Sequence, residues 1–429
     1  MKHSIKMKFG QYDYAAFSGY AAYACCAMVL SIVLAPLAES LGFPLDRGNQ
    51  GAGGALHFWR SISMFCTMAC CTFIAGKFGK RHSIGTALLV IGLGICCAGF
   101  AGNYMWLTGA VILSALGQGV FEVLVTPTVQ TLHEKEDPSR YINVTHAFWS
   151  IGVVSIVILS GWALGAGVSW RVILFFTGIA ALIPGILFLA PSKKQHFPPS
   201  EHRSPAVIWS QMKQVLRIRR FWIFLACMFL AGGAEHCLSF WLPSFIRMEY
   251  QSGSLLCGLG TAFFAVGMVA GRLLSGIFGS EKRMYRIILI SASVSVLLGF
   301  LPPLLHTLFF LYLILFCLGC SSGPLWPSIQ NYCVEEIRED PTTMFILLPC
   351  IGIPGCGFFT WLMGFLGDYI GLHGSFLLVP GCYLLLSFNM ASLSASIMKM
   401  PCCSSCRKAC SALLPPQSGL LRIWQQKIL

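Results

Sequence analysis

Apolar runs of about twenty residues recur along the chain, parted by short polar stretches. Their approximate spans are 14–37, 53–75, 84–101, 105–131, 147–168, 171–190, 221–245, 255–279, 286–305, 308–333, 343–367 and 373–397. An α-helix rises about 1.5 Å per residue, so about 20 residues cross roughly 30 Å of hydrocarbon. Twelve crossings are therefore expected. Short alternating segments at about ten-residue spacing, the mark of a membrane β-barrel, are absent. The second and eighth runs are interrupted by charge at Arg60 and Arg272. The first run has no small-residue cleavage site near Pro36 and Glu39, so it reads as an uncleaved helix rather than a signal peptide.

Charge then orients the runs. Lys and Arg gather in loops on the cytoplasmic side of a membrane. Of the 29 basic residues, Arg47, Arg171 and Arg247 fall on one side and Arg60 and Arg272 inside runs. All the others fall on the opposite side, which also holds both termini. Both termini are thus expected in the cytoplasm, in the inner membrane of a cell. The net charge of +13 is explained by this bias without nucleic acid as a partner.

Composition agrees. Residues of the AVILMFWYC set make up 56% of the 429 and charged residues 10%, with a mean hydropathy of +0.73. Soluble domains run near 45–50% apolar and about 25% charged. A soluble globular protein, a disordered chain and a collagen-like fibre are excluded. Most of the 20 cysteines sit inside apolar runs, as at Cys25–Cys26 and Cys70–Cys71, where they act as small apolar residues.

The longest polar connection, residues 191–220, divides the runs six and six. The expected organisation is an N-terminal bundle over 1–190, a cytoplasmic linker over 191–220, a C-terminal bundle over 221–398 and a tail over 399–429. The halves echo each other at an offset of 200 residues. Gly76, Phe78 and Gly79 match Gly276, Phe278 and Gly279, and Gly119 and Pro127 match Gly319 and Pro327. Two parallel six-helix repeats with a site between them is a transporter architecture.

The loop "AGKFGKRHSIG" at 75–85 and the segment "GMVAGRLLSGIFG" at 267–279 resemble the paired signature elements of the major facilitator superfamily. The stretch "GQGVFEVLVTPTVQTL" with "YINVTHAFWSIGVV", over 117–154, is similar to the fucose–proton symporter family of sugar permeases. The resemblance implies an all-α membrane protein of twelve transmembrane helices in two pseudo-symmetric six-helix bundles. It implies alternating access with symport of a monosaccharide and a proton. It places an acidic residue at Glu122 and a sugar-binding amide at Asn143.

Four formal charges lie inside the runs, and each costs about 2.5–3.5 kcal/mol or more at mid-depth if it faces lipid. Glu122 and Glu235 are the candidate proton-coupling carboxylates; each is otherwise a structural partner for a base or a helix end. Arg272 either gates the inner ends or contacts substrate. Arg60 either snorkels outward or clamps an anion such as a sugar acid. The turn residues Gly76, Gly79, Lys80 and Arg81 join Arg272 as the expected inner gate. Asn143, His146 and Trp149 form one helical stripe suited to a sugar, or to interhelical packing. His236, Trp241 and Trp326 complete the candidate binding set, each with a packing role as its alternative.

No P-loop, HExxH or Ser/His/Asp arrangement appears, so neither an ATP-driven pump nor an enzyme is expected, and no cofactor. The tail "CCSSCRKAC" lacks the spacing of a two-knuckle zinc site, and no metal is assigned. The expected protein is a monomer in the lipid bilayer, its partners a small-molecule substrate and a proton. The alternatives are an organic-anion or sugar-acid carrier and a facilitated sugar uniporter.

Overall fold

The computed structural model describes residues 8–134, 138–193, 195–197, 205–278, 284–339 and 341–398. The side chains of Thr72, Asn143, 277–278 and several segment ends lie outside the description, as does the cysteine-rich tail. Residues up to Met390 form one compact unit, and the described part of the second unit is the helical end that begins at Ala391.

Every long described element is helical. The first six are α1 (Gln11–Ser40), α2 (Gln50–Phe78), α3 (Lys80–Gly99), α4 (Tyr104–Leu132), α5 (Pro138–Gly165) and α6 (Trp170–Leu189). The linker holds a short amphipathic α7 (Pro205–Leu216), with proline at its first position, where no N–H is needed. Then follow α8 (Arg219–Tyr250), α9 (Ser254–Phe278), α10 (Met284–Gly299), α11 (Leu308–Ser322), α12 (Leu325–Ile337), α13 (Pro341–Ser375) and α14 (Leu378–Met398). Ten apolar helical segments are long enough to cross a membrane on length and composition. α2 and the shorter apolar α14 complete the twelve expected runs.

Three elements depart from the sequence expectation. The tenth run is two helices, broken at Gly323–Pro324, because proline lacks the N–H that would continue the ladder. α5 begins at Pro138, well before the apolar run, and its early turns pack inward, with Tyr141 stacked on His133 and Thr145 buried. α13 runs on to Ser375 with a break at Gly371, whose φ of +73° suits glycine.

Helices α1–α6 pack among themselves, and so do α8–α13. Close approach comes from small residues, as expected where lipid gives no hydrophobic drive between helices. Gly92 meets Gly178 between α3 and α6, and Gly267 and Gly271 lie on Phe316 and Cys320 between α9 and α11. The two groups meet along a seam made by α2 with α13, α5 with α9, and α1 with α8.

Candidate functional site

The seam is shut at the end that carries the 41–49 loop. There the carboxylate of Asp368 on α13 accepts from the first backbone N–H groups of α2, Gln50 at 2.6 Å and Gly51 at 3.0 Å. Four N–H groups at a helix start have no partner within the helix, so an anion fits there. Gly54 lies against the Trp361 backbone and Gly357 against Ser61. On the other side of the seam Gly161 packs on Ser254 and Gly258 on Val157. Trp241 is fully buried in this closed region, and its indole N–H donates to the Thr360 carbonyl at 2.9 Å.

Below the seal lies a cavity lined from both halves by Trp149, Glu235, His236, Met268 and Arg272, among others. His146 on α5 is exposed although it lies along a membrane span, so this face of α5 borders open space. At the far end nothing lies within 4 Å of a side chain placed at Gly76 or Gly276. The contacts across the seam thus gather at the Asp368 end.

Two polar clusters flank the cavity. In the N-terminal half, Tyr20, Thr126 and His146 form a triangle, with Tyr20 Oη to Thr126 Oγ1 at 3.0 Å and to His146 Nε2 at 3.3 Å. Thr126 Oγ1 is 3.1 Å from the same imidazole nitrogen. Tyr23 packs against Trp149, with ring centroids 4.7 Å apart, and Glu122 is near it. Arg60 is 6% exposed and its Nε donates to Gln118 Oε1 at 2.7 Å. Gln118 in turn donates to Ser114 at 3.1 Å. Glu122 also feels the charge of Arg60. In the C-terminal half, Arg272 stands 3.5 Å from Glu235, and its Nε donates to the Gly323 carbonyl at 3.1 Å.

These placements correct several expectations. Arg60 does not snorkel outward; it is buried because Gln118 and the nearby Glu122 stabilise its charge away from water. Glu122 has Arg60 across the helix pair, since α2 and α4 pack together. Arg272 points into the cavity toward Glu235. Trp326 lies against Gly232 and Gly352 within the C-terminal half. Arg81 donates to Tyr12 Oη at 3.3 Å and Gly79 links α2 to α3 with a φ of +78°. Asn143 sits on α5, its side chain outside the description.

Tyr20, Tyr23, Gln118 and Thr126 escaped the sequence reading. Gln118 stands one turn before Glu122, a polar pair on one face of an apolar helix, and that spacing was the available signal. The tyrosines carried none, because aromatic residues in a membrane helix are ordinary packing.

Comparison with known proteins follows this geometry. The chain is 26% identical over 159 residues to the tetracenomycin C resistance and export protein of Streptomyces glaucescens, which covers 35% of this chain and 29% of that protein. It is 23% identical over 341 residues to a glucose/galactose transporter of Brucella abortus, 73% of this chain and 79% of that one. The chain therefore spans less than a third of the first relative and about four fifths of the second. Among solved structures, a nucleoside transporter superposes with a TM-score of 0.71 at 13% identity, covering 91% of this chain and 99% of that one. The fucose–proton symporter of E. coli gives 0.61 at 18% identity, covering 90% and 99%. The family description that matches residues 16–356 is the Major Facilitator Superfamily, and this chain, with ten described helices long and apolar enough to cross a membrane, belongs to it.

Proposed function

We propose that the protein is a secondary active transporter that carries a small polar solute, a monosaccharide, together with a proton by alternating access. The observation that supports this most is the cavity itself. It is sealed at one end by contacts between the halves and bordered by paired buried charges and aromatic rings. Hydroxyl-bearing solutes need such a mixture of amide, carboxylate and flat apolar surface. The relatives described as sugar carriers favour the same class. In this reading the protein is a monomer of the cytoplasmic membrane, with the Gly79 end and both termini inside. Residues 191–220 link the two halves and 399–429 form a tail.

Glu122 serves as the coupling carboxylate and Glu235 as the second candidate. A carboxyl group desolvated in a membrane holds a proton more readily than in water, and a nearby cation opposes this. A state change that alters water access or the distance from Arg60 would load and unload the proton. Asn143, His146 and Trp149 hold the solute, with Arg272 and Glu235 opposite. A second reading, a sugar-acid carrier, is favoured by Arg60, a buried cation in the N-terminal half whose planar guanidinium suits a carboxylate.

Uptake of labelled sugars and sugar acids into proteoliposomes, with and without a proton gradient, tests both readings. Glu122→Gln should abolish gradient-driven accumulation and spare exchange between equal pools, because exchange needs no net proton release. Asn143→Ala should impair both modes. Normal accumulation by Glu122→Gln would remove the coupling role. Accumulation confined to sugar acids would select the second reading.

A further inference from the structure

The linker helix α7 lies against α8 and α13. Val215 on its inner face is 1% exposed, and Gln214 Nε2 donates to Glu339 Oε2 at 2.9 Å. The opposite face carries Trp209, Lys213 and Arg217, all exposed and four residues apart, hence on one side of the helix. The Lys213 ammonium stands over the Trp209 ring, 5.4 Å from its centroid. A shorter stripe follows in the first turn of α8, where Arg219 and Trp222 are exposed three residues apart. The Trp222 indole N–H donates to the Leu216 carbonyl at 2.9 Å, so the two stripes meet at the corner between the helices.

Packing within the protein does not account for this surface. Trp209 and Trp222 each leave 57% of their surface uncovered, although tryptophan carries a large apolar area that favours burial. Among the described residues none of Lys213, Arg217 and Arg219 meets a carboxylate. The acids nearby are engaged elsewhere, Glu339 by Gln214 and Glu336 by Arg220 at 3.3 Å. Three unpaired cations interleaved with two uncovered indoles match a layer that is anionic at its surface and apolar beneath. α8 is long and apolar enough to cross a membrane, and Trp222 sits in its first turn. The stripes therefore lie where a bilayer begins, the depth at which tryptophan is enriched.

We infer that the Trp209–Lys213–Arg217 face of α7 and the Arg219–Trp222 turn of α8 form a docking surface for anionic phospholipid headgroups. The cations meet the phosphates while the indole rings rest at the headgroup boundary. A soluble anion would satisfy the cations and leave the rings in water; a lipid satisfies both. Attraction of juxtamembrane Lys and Arg to an anionic leaflet grows with each residue and is screened by salt. The inference needs only that α8 spans a bilayer and is independent of the solute carried. Since α7 connects the two groups of helices along the chain, headgroups held here fasten that connection to the membrane surface.

The test titrates short-chain phosphatidylglycerol or phosphatidylcholine into the detergent-solubilised protein and reads the thermal midpoint. Phosphatidylglycerol should raise the midpoint, phosphatidylcholine should not, and high salt should remove the difference. Each Lys or Arg beside an anionic surface strengthens binding about fivefold, so Lys213→Gln/Arg217→Gln/Arg219→Gln should raise the half-effective phosphatidylglycerol concentration about tenfold or more. Arg217→Lys/Arg219→Lys keeps the charge and should retain the response. Trp209→Ala/Trp222→Ala should weaken it at unaltered charge, which separates a membrane surface from simple ion pairing. Should the triple variant fail to fold, Lys213→Gln alone carries the test, with a shift of about fivefold expected. Equal responses to the two lipids, or an unshifted response in these Gln variants, would overturn the surface. Inorganic phosphate or a soluble acidic peptide that stabilised the protein as well as phosphatidylglycerol would overturn it too, by showing an occupant other than lipid.

Discussion

Arg60 carries the most at the scale of single residues. Its charge is held by one neutral amide at 2.7 Å and by the field of Glu122, in a place where water is scarce. Removing one member of such a set leaves the others buried and uncompensated, at a cost of about 3–5 kcal/mol. Arg60→Ala is expected to lower the thermal stability of the detergent-solubilised protein markedly. The Arg60→Ala/Gln118→Leu pair should lose less than the sum of the single changes, because each exposes the other's unmet need. A strictly additive result in a thermal-unfolding cycle would show that the 2.7 Å contact contributes nothing. Glu235 and Arg272 form the matching pair in the other half, more open to the cavity and therefore weaker.

Helix packing is where the closed state is made. Asp368 joins α13 to the start of α2 by two N–H contacts that exist only while the Asp368 end is shut. Hydrogen bonds to a charged group contribute about 1.5–3 kcal/mol each where no water competes, and less at a partly exposed end such as this. Asp368→Ala is expected to lower the ratio of shut to open molecules about tenfold, read from the distance between spin labels introduced through unnatural amino acids at Glu39 and Arg247. A similar loss should follow from steric change. A side chain at Gly54 would meet the Trp361 Cα at 2.8 Å and the Thr360 carbonyl at 2.9 Å, both backbone atoms that cannot swing away. Gly54→Val should therefore hold the protein open at the Asp368 end and abolish transport while leaving it folded. A Gly54→Val protein that shows the short distance of the unaltered one would contradict the packing described here.

The helix order places the turn at Gly79, α7 and the start of α10 at one end, and the 41–49 and 251–253 loops at the other. Membrane-impermeant labelling of single cysteines in a background freed of native ones should separate these groups. Positions 82 and 213 should react from the cytoplasmic side, and positions 47 and 251 from the opposite side. Reaction of 82 and 213 from different sides would defeat the proposed topology. The same arrangement explains why the seam, and not the interior of either half, holds the candidate chemistry. Within each half small residues bring helices close for good, as at Gly92 and Gly178. Across the seam polar and aromatic groups meet in contacts that can be made and broken.

The presence and approximate place of the long helices were legible in the chain because each follows from local pattern, hydrocarbon thickness setting the run length. Gly79 also announced itself, by its place at a turn. The break at Gly323–Pro324 was present as a signal, yet a run of continuous hydropathy over 308–333 concealed it. The site was legible only as a list of rare intramembrane polar residues, and Glu122, Glu235, Arg60 and Arg272 were all on it. Which of them pair was decided by tertiary structure. Arg60 lies 58 positions from Gln118 along the chain, and Arg272 is 51 from the Gly323 carbonyl it meets. Partners at such separation are chosen by helix packing, which no local period encodes. The cap of Asp368 on Gln50 and Gly51 belongs to one conformational state alone. The sequence specifies both the residues and the helices that carry them; only the closed seam brings them together.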